Sequence, residues 1–222
     1  MTRQIFLSHS KEDQNLISDI ESVFSRTNLN LITEYFEQVP SPPSEKIKRD
    51  IKNSEAVFVL LGPSTVEPGI HTSNWISWEI GFGTARGKPV WVFEEVNNFV
   101  DFPVPDLTDY MIYDRNKLGD IQKIRKQVES EFDASPQWAP GMILGAIIGG
   151  ALGESMEEGG WAPGALIGGL LGATGADGEP EKNAIQITCP YEDCKQSFKL
   201  RGTPVDQFPC PTCRKQNILQ NK

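Results

Sequence analysis

Short apolar segments alternate with helical patterns through residues 1–133, and this alternation constrains the fold more than any other feature of the chain. The segment Ala56–Leu61 is apolar at every position, which is typical of a strand covered on both faces of a sheet. Apolar residues between Leu16 and Phe24 recur instead at the spacing of a helix. The pattern predicts an α/β domain with a central parallel sheet of five strands. These strands are Gln4–Leu7, Leu29–Ile32, Ala56–Leu61, Val90–Phe93 and Tyr110–Tyr113.

Three segments are expected to meet at one edge of this sheet. In open parallel sheets, ligands bind beyond the carboxyl ends of the strands. The segments that follow these ends are Ser8–Lys11, Tyr35–Ser44 and Gly62–Glu79. The second contains Pro40, Pro42 and Pro43 and is therefore predicted to be a loop.

Two motifs in this region resemble those of TIR domains, the Toll/interleukin-1 receptor type. The run Ile5–Asp13 resembles the opening box of that family, and Ser73-Asn74-Trp75 followed by Glu79 resembles its Ser-x-Trp-x-x-x-Glu helix. The proline-bearing loop lies where TIR domains have their BB loop. The resemblance covers residues 1–133 and is closer to the prokaryotic enzymatic branch than to the animal receptor adaptors. It implies a flavodoxin-like TIR domain that cleaves NAD⁺.

By this resemblance, Glu79 is the catalytic residue. The nicotinamide of NAD⁺ is already a pyridinium, so it leaves as a neutral base and needs no proton from a general acid. The remaining task is to stabilise the positive charge that develops on the ribose, and one carboxylate on a rigid helix can do this. The alternative is that Glu79 is a solvated residue in the middle of a surface helix.

Other residues near this edge are candidates for binding the substrate. The residues after the first strand lie where a phosphate or a ribose can bind, and Phe36 at the start of the loop either stacks on a base or anchors the loop. Helical spacing puts Trp75, Glu79 and Phe82 on one face of the helix, so Trp75 is either a ring-stacking wall or part of the core. The candidate substrate-binding residues are Ser8, His9, Ser10, Phe36 and Trp75.

The resemblance also implies assembly. Many enzymatic TIR sites are completed by the BB loop of a neighbouring copy, so we expect self-association through TIR surfaces. Partners in the form of other TIR or defence proteins also follow from the resemblance, together with a role in antiviral defence or immune-type signalling.

Residues 134–180 contain an internal repeat, which spans 138–153 and 161–176. Trp138-Ala139-Pro140-Gly141 recurs as Trp161-Ala162-Pro163-Gly164, and a glycine then follows at every fourth position. This spacing puts the glycines on one stripe of each helix and predicts a glycine-zipper helical hairpin. Self-packing of the hairpin, contact with other copies and membrane insertion are the alternatives, together with a low-complexity linker. The glycines are Gly141, Gly145, Gly149, Gly153, Gly164, Gly168 and Gly172.

All four cysteines lie in the C-terminal segment 181–222, in a Cys-x4-Cys-x15-Cys-x2-Cys pattern. Two pairs of thiolates with a strand-length spacer are typical of tetrahedral zinc, so a small zinc-ribbon-like β module with structural Zn²⁺ is predicted. Disulfides or an iron–sulfur cluster are the alternatives. The predicted ligands are Cys189, Cys194, Cys210 and Cys213.

Charge and cysteine usage narrow the classes of function. The net charge of −9 disfavours a protein that coats nucleic acid, because phosphate binding needs a basic surface. The absence of a secretory leader and the clustering of cysteine indicate a reducing, cytoplasmic setting, with membrane association through the glycine hairpin as a variant. The sequence therefore predicts an NAD⁺ glycohydrolase or cyclase that is activated by assembly. A non-enzymatic TIR scaffold and a membrane-disrupting effector are the alternatives.

Overall fold

The computed structural model describes residues 3–33, 44–67, 71–133, 184–202 and 205–219, and all of these belong to one compact unit. The helices are α1 (Gln14–Phe24), α2 (Ser44–Asn53), α3 (Thr72–Thr84) and α4 (Leu118–Val128). The strands are β1 (Gln4–Ser8), β2 (Asn30–Thr33), β3 (Ala56–Leu61), β4 (Val90–Glu95), β5 (Asp109–Tyr113), β6 (Ile185–Thr188), β7 (Ser197–Gly202), β8 (Gln207–Pro209) and β9 (Gln216–Ile218).

The central sheet is largely parallel and has seven strands in the order β2-β1-β3-β4-β5-β7-β6. The predicted parallel strands β1 to β5 are all present, and each pairs in parallel with its neighbours. The chain moves outward in one direction from β1 to β2 and in the other from β3 to β5. The order therefore reverses between β1 and β3, and such a switch point is where doubly wound sheets bind ligands.

Each face of the sheet carries its own apolar core. On one face, Ile47 and Ile51 of α2 and Ile76 and Ile80 of α3 pack against β3 and β4. On the other face, α1 and α4 cover the rings of Phe58, Trp91 and Phe93. Because both faces are covered, β3, β4 and β5 are buried at every position, which explains the continuous apolar run of β3.

The C-terminal segment extends this sheet, whereas the sequence pattern predicts a separate small β module. Strand β7 pairs in parallel with β5, and β6 pairs antiparallel with β7 at the edge. The physical reason lies in the connection between β4 and β5, residues 96–108, which contains no helix. Phe198, Leu200 and Phe208 cover the face over β4 and β5 that a crossover helix would otherwise cover.

The predicted glycine-zipper hairpin of residues 134–180 lies outside the described residues. Within the described ranges, no helix combines the length and the apolar composition that crossing a membrane requires.

Candidate functional site

The candidate site lies at the switch point of the sheet. Strand β1 ends at Ser8, and the neighbouring β3 ends just before Gly62. The three residues Ser8, His9 and Ser10 are exposed by only 1%, 7% and 0%. The segment that the sequence places at the carboxyl edge of the sheet is therefore buried there.

The carboxylate of Glu79 meets this segment from α3. The hydroxyl of Ser8 donates a hydrogen bond of 2.6 Å to Oε2 of Glu79, and Glu79 itself is only 8% exposed. The alternative of a solvated glutamate in mid-helix therefore does not describe this residue. A buried carboxylate held by a hydroxyl donor has a fixed position and orientation.

A glycine brings α3 close enough to the sheet for this contact. Gly83 lies one turn after Glu79 on the same side of the helix, and a Cβ at Gly83 would lie 2.6 Å from Cγ2 of Val57 in β3. No larger residue fits between helix and strand at this point. The close approach of α3 to β3 thus sets the distance between the backbone of Glu79 and the hydroxyl of Ser8.

A row of aromatic rings flanks Glu79 along α3. Trp78 stacks on Phe82 with ring centroids 5.6 Å apart, and Trp75 meets the edge of Trp78 at 5.9 Å. Trp75 is half-buried, which leaves part of its ring accessible. Trp78 was not singled out in the sequence, although its spacing of four residues from Phe82 predicts their contact.

Two further ionisable groups line the same edge. Burial lowers the pKa of His9, so the imidazole is neutral at physiological pH. Burial also raises the pKa of Asp13, whose carboxylate accepts a hydrogen bond of 3.3 Å from the backbone N–H of Ser64. Asp13 packs so tightly against the end of β3 that a Cβ at Gly62 would lie 2.3 Å from its Oδ2. Phe36, the remaining candidate, lies outside the described residues.

Comparison with known families gives a match for this part of the chain. Residues 6–98 match the family model described as Thoeris protein ThsB, TIR-like domain. This part of the chain is therefore similar to a TIR-like domain. The match includes the Ser8–Ser10 segment and Glu79, so the candidate site lies within it. No curated protein matches the chain significantly.

The four cysteines form a second candidate site, in the C-terminal segment that extends the central sheet. Sγ of Cys189 lies 3.7 Å from Sγ of Cys213, and Sγ of Cys194 lies 3.8 Å from Sγ of Cys210. All four sulfurs lie within 4.8 Å of one another and none is in a disulfide. Tetrahedral Zn²⁺ with Zn–S bonds of about 2.3 Å requires S–S separations of about 3.8 Å. The four side chains can therefore hold a metal ion.

The backbone around the cysteines supports this arrangement. Lys195 and Arg214, which each follow the last cysteine of a pair, have positive φ values of 50° and 58°. This conformation closes each pair into a tight turn, in which the N–H of Lys195 donates to the carbonyl of Tyr191 and the N–H of Arg214 donates to the carbonyl of Cys210. Both turns thus converge on one point.

A buried ion pair joins the second turn to the sheet. The guanidinium of Arg214 makes two hydrogen bonds of 3.0 Å to Glu94, which is fully buried on β4. The hydroxyl of Tyr110 donates a hydrogen bond to the same carboxylate. Burial and then the charge of Glu94 raise the pKa of Tyr110 well above its usual range, so the hydroxyl keeps this proton. This pair could not be predicted from the sequence, since its members lie 120 positions apart.

Proposed function

We propose that the TIR-like domain cleaves NAD⁺, releasing nicotinamide and ADP-ribose or its cyclic form, with Glu79 as the catalytic carboxylate. The observation that carries the proposal is the burial of this acid at the switch point of a largely parallel sheet, where Ser8 donates a hydrogen bond to it. Burying a carboxylate is costly unless hydrogen-bond donors hold it, so a glutamate without a function is expected on the surface of the helix.

The chemistry follows from the leaving group. When the bond between the ribose C1 and the nicotinamide nitrogen breaks, the electron pair goes to the pyridinium, which leaves as neutral nicotinamide. The ribose then carries positive charge, and a carboxylate preorganised beside it stabilises that charge. Attack by water gives ADP-ribose and a proton, whereas attack by the adenine of the same molecule gives the cyclic product. Trp75, His9 and Ser10 contribute to binding the substrate.

The biological role we infer is antiviral defence signalling that depends on assembly. The match to a Thoeris ThsB domain favours defence. Self-association through TIR surfaces and through the glycine hairpin would bring the loop of residues 35–44 of one copy to the site of another. Other TIR or defence proteins are the expected partners, and the setting is cytoplasmic.

The C-terminal cysteines hold structural Zn²⁺ in this proposal. The sulfur separations fit a tetrahedral ion, and all four positions around it are filled by protein ligands, so no position is open for catalysis. The ion would supply folding energy to a segment that carries few core residues of its own.

Nicotinamide release measured over a range of protein concentrations tests the proposed activity. Wild type should release nicotinamide with a specific activity that rises with concentration, and Glu79→Gln should lose about 10²–10³-fold or more. The matched control is Glu21→Gln, an exposed glutamate on α1, which should keep full activity. Concentrated wild-type protein that leaves NAD⁺ intact would refute the enzyme and favour a scaffold.

A further inference from the structure

The hydroxyl of Ser8 contacts the proposed catalytic acid and is not exposed to solvent. Its hydroxyl lies 2.6 Å from Oε2 of Glu79, and the residue is 1% exposed. A hydroxyl that is buried to this extent and donates to a carboxylate has its only proton in use, so it has none to offer to a substrate.

The backbone that carries Ser8 is held in place by the sheet. Ser8 is the last residue of β1, and it pairs with Val59 in the adjacent strand β3. The chain that follows is held as well, since the N–H of Asp13 donates to the carbonyl of Ser10 at 3.2 Å. A donor fixed in this way can determine the orientation of a side chain that reaches it from a neighbouring helix.

The side chain of Glu79 needs such a partner. Between its backbone and its carboxylate lie three rotatable bonds, and the last of these has a broad energy profile. Packing of α3 fixes the helix backbone, and contacts of the side chain must then set these three torsions. The bond from Ser8 restricts this freedom, because a charge-assisted hydrogen bond holds the carboxylate oxygen that accepts it.

We propose that Ser8 is a positioning residue, whose hydroxyl orients the Glu79 carboxylate toward the developing charge on the ribose. This inference rests on the proposed NAD⁺ cleavage. It assigns to Ser8 a role in the chemical step in place of contact with the substrate. Removing the hydroxyl should therefore lower kcat and leave KM nearly unchanged, because the ground-state contacts of NAD⁺ are retained.

The test compares substitutions at Ser8 with a serine that is buried to the same extent elsewhere. Ser54 is also 1% exposed, and its hydroxyl donates to the backbone carbonyl of Asp50 next to the opposite end of β3. Steady-state nicotinamide release should show kcat of Ser8→Ala reduced by up to about 100-fold with KM within about threefold of wild type. Ser54→Ala should keep the kcat of wild type.

A second pair of variants separates the hydroxyl from the shape of the side chain. Ser8→Thr and Ser8→Val add branched side chains of nearly equal volume, and only threonine keeps the donor. Ser8→Thr should exceed Ser8→Val in kcat by at least about tenfold, and this comparison holds even if Ser8→Ala folds poorly. Equal kcat values for threonine and valine would overturn the role of Ser8.

The two failures give different results. Wild-type protein that releases no nicotinamide at any concentration overturns the proposed function and the role of Ser8 with it. Active wild type with a Ser8→Ala variant whose kcat equals that of Ser54→Ala overturns only the positioning role. A variant that raises KM and keeps kcat also overturns it, and returns Ser8 to direct contact with the substrate.

Discussion

The close packing of α3 against β3 can be tested by adding a single methyl group. A Cβ at Gly83 would lie 2.6 Å from Cγ2 of Val57, and ordinary contacts begin at 3.4 Å, so Gly83→Ala must push helix and strand apart by about 0.8 Å. If the whole shift reached Glu79, its bond to Ser8 would lengthen from 2.6 Å to about 3.4 Å, beyond a normal hydrogen bond.

The same helix offers a matched control. Gly81 is exposed, and a Cβ there would meet nothing within 4 Å. Gly81→Ala should therefore stabilise the protein by up to about 1 kcal/mol, because alanine favours the helix over glycine. Gly83→Ala gains the same helical preference but suffers overpacking of about 1–3 kcal/mol. Since the helical gain cancels between the two variants, they should differ in unfolding free energy by about 1–3 kcal/mol.

Urea denaturation of both variants measures this difference, and nicotinamide release measures its effect on the site. We expect Gly83→Ala to be the less stable protein and to have the lower kcat. Equal unfolding free energies for the two variants would refute the account of how α3 is held, and an unchanged kcat in a destabilised Gly83→Ala would show that the position of Glu79 does not depend on this contact.

Three further predictions concern the C-terminal segment and the pH dependence of stability. Arg214→Ala leaves the buried carboxylate of Glu94 without its cation, so urea titration should show an unfolding free energy lower by about 3–5 kcal/mol. Lys215 forms an exposed pair, so Lys215→Ala should change the unfolding free energy little. Equal losses of unfolding free energy in the two variants would contradict the importance of the buried pair. Metal analysis should give about one zinc per chain for wild type, and Cys210→Ser should lose the zinc and melt at a lower temperature. Wild-type protein that keeps its melting temperature after the metal is removed would exclude a structural ion. Burial lowers the pKa of His9 in the folded state, so its contribution to stability is present above pH 6.5 and is lost as pH falls through the folded pKa; His9→Gln should flatten this acid loss, and an unchanged pH profile would contradict the burial.

Much of the N-terminal region could be predicted because its signals are local. The continuous apolar run of β3 and the helical spacing in α1 report their own burial, so the five parallel strands follow from the sequence. The burial of Glu79 is less local, since it depends on how closely α3 approaches the sheet. The glycine at position 83 permits that approach, but the sequence alone does not say which strand it faces.

The attachment of the C-terminal segment could not be predicted because its contacts are distant along the chain. Arg201 is fully buried and pairs with Asp109 at 2.6 Å, although 92 positions separate them. In the sequence, Arg201 lies in a basic segment, which is typical of a solvated surface. Only the pairing of β7 with β5 brings its guanidinium against the ring of Trp91. Cysteine spacing predicted the two turns that bring the four cysteines together, yet it carried no information on which strand they would join.

The most direct test of the account is the kcat for nicotinamide release by Glu79→Gln, measured beside wild type on NAD⁺ at saturating concentration and in the same assembled state. Glutamine keeps the size of the side chain and an acceptor for the Ser8 hydroxyl, so the change removes mainly the negative charge. The account predicts a loss of about 10²–10³-fold or more with an unchanged melting temperature. A Glu79→Gln variant that turns over NAD⁺ at the wild-type rate would contradict it.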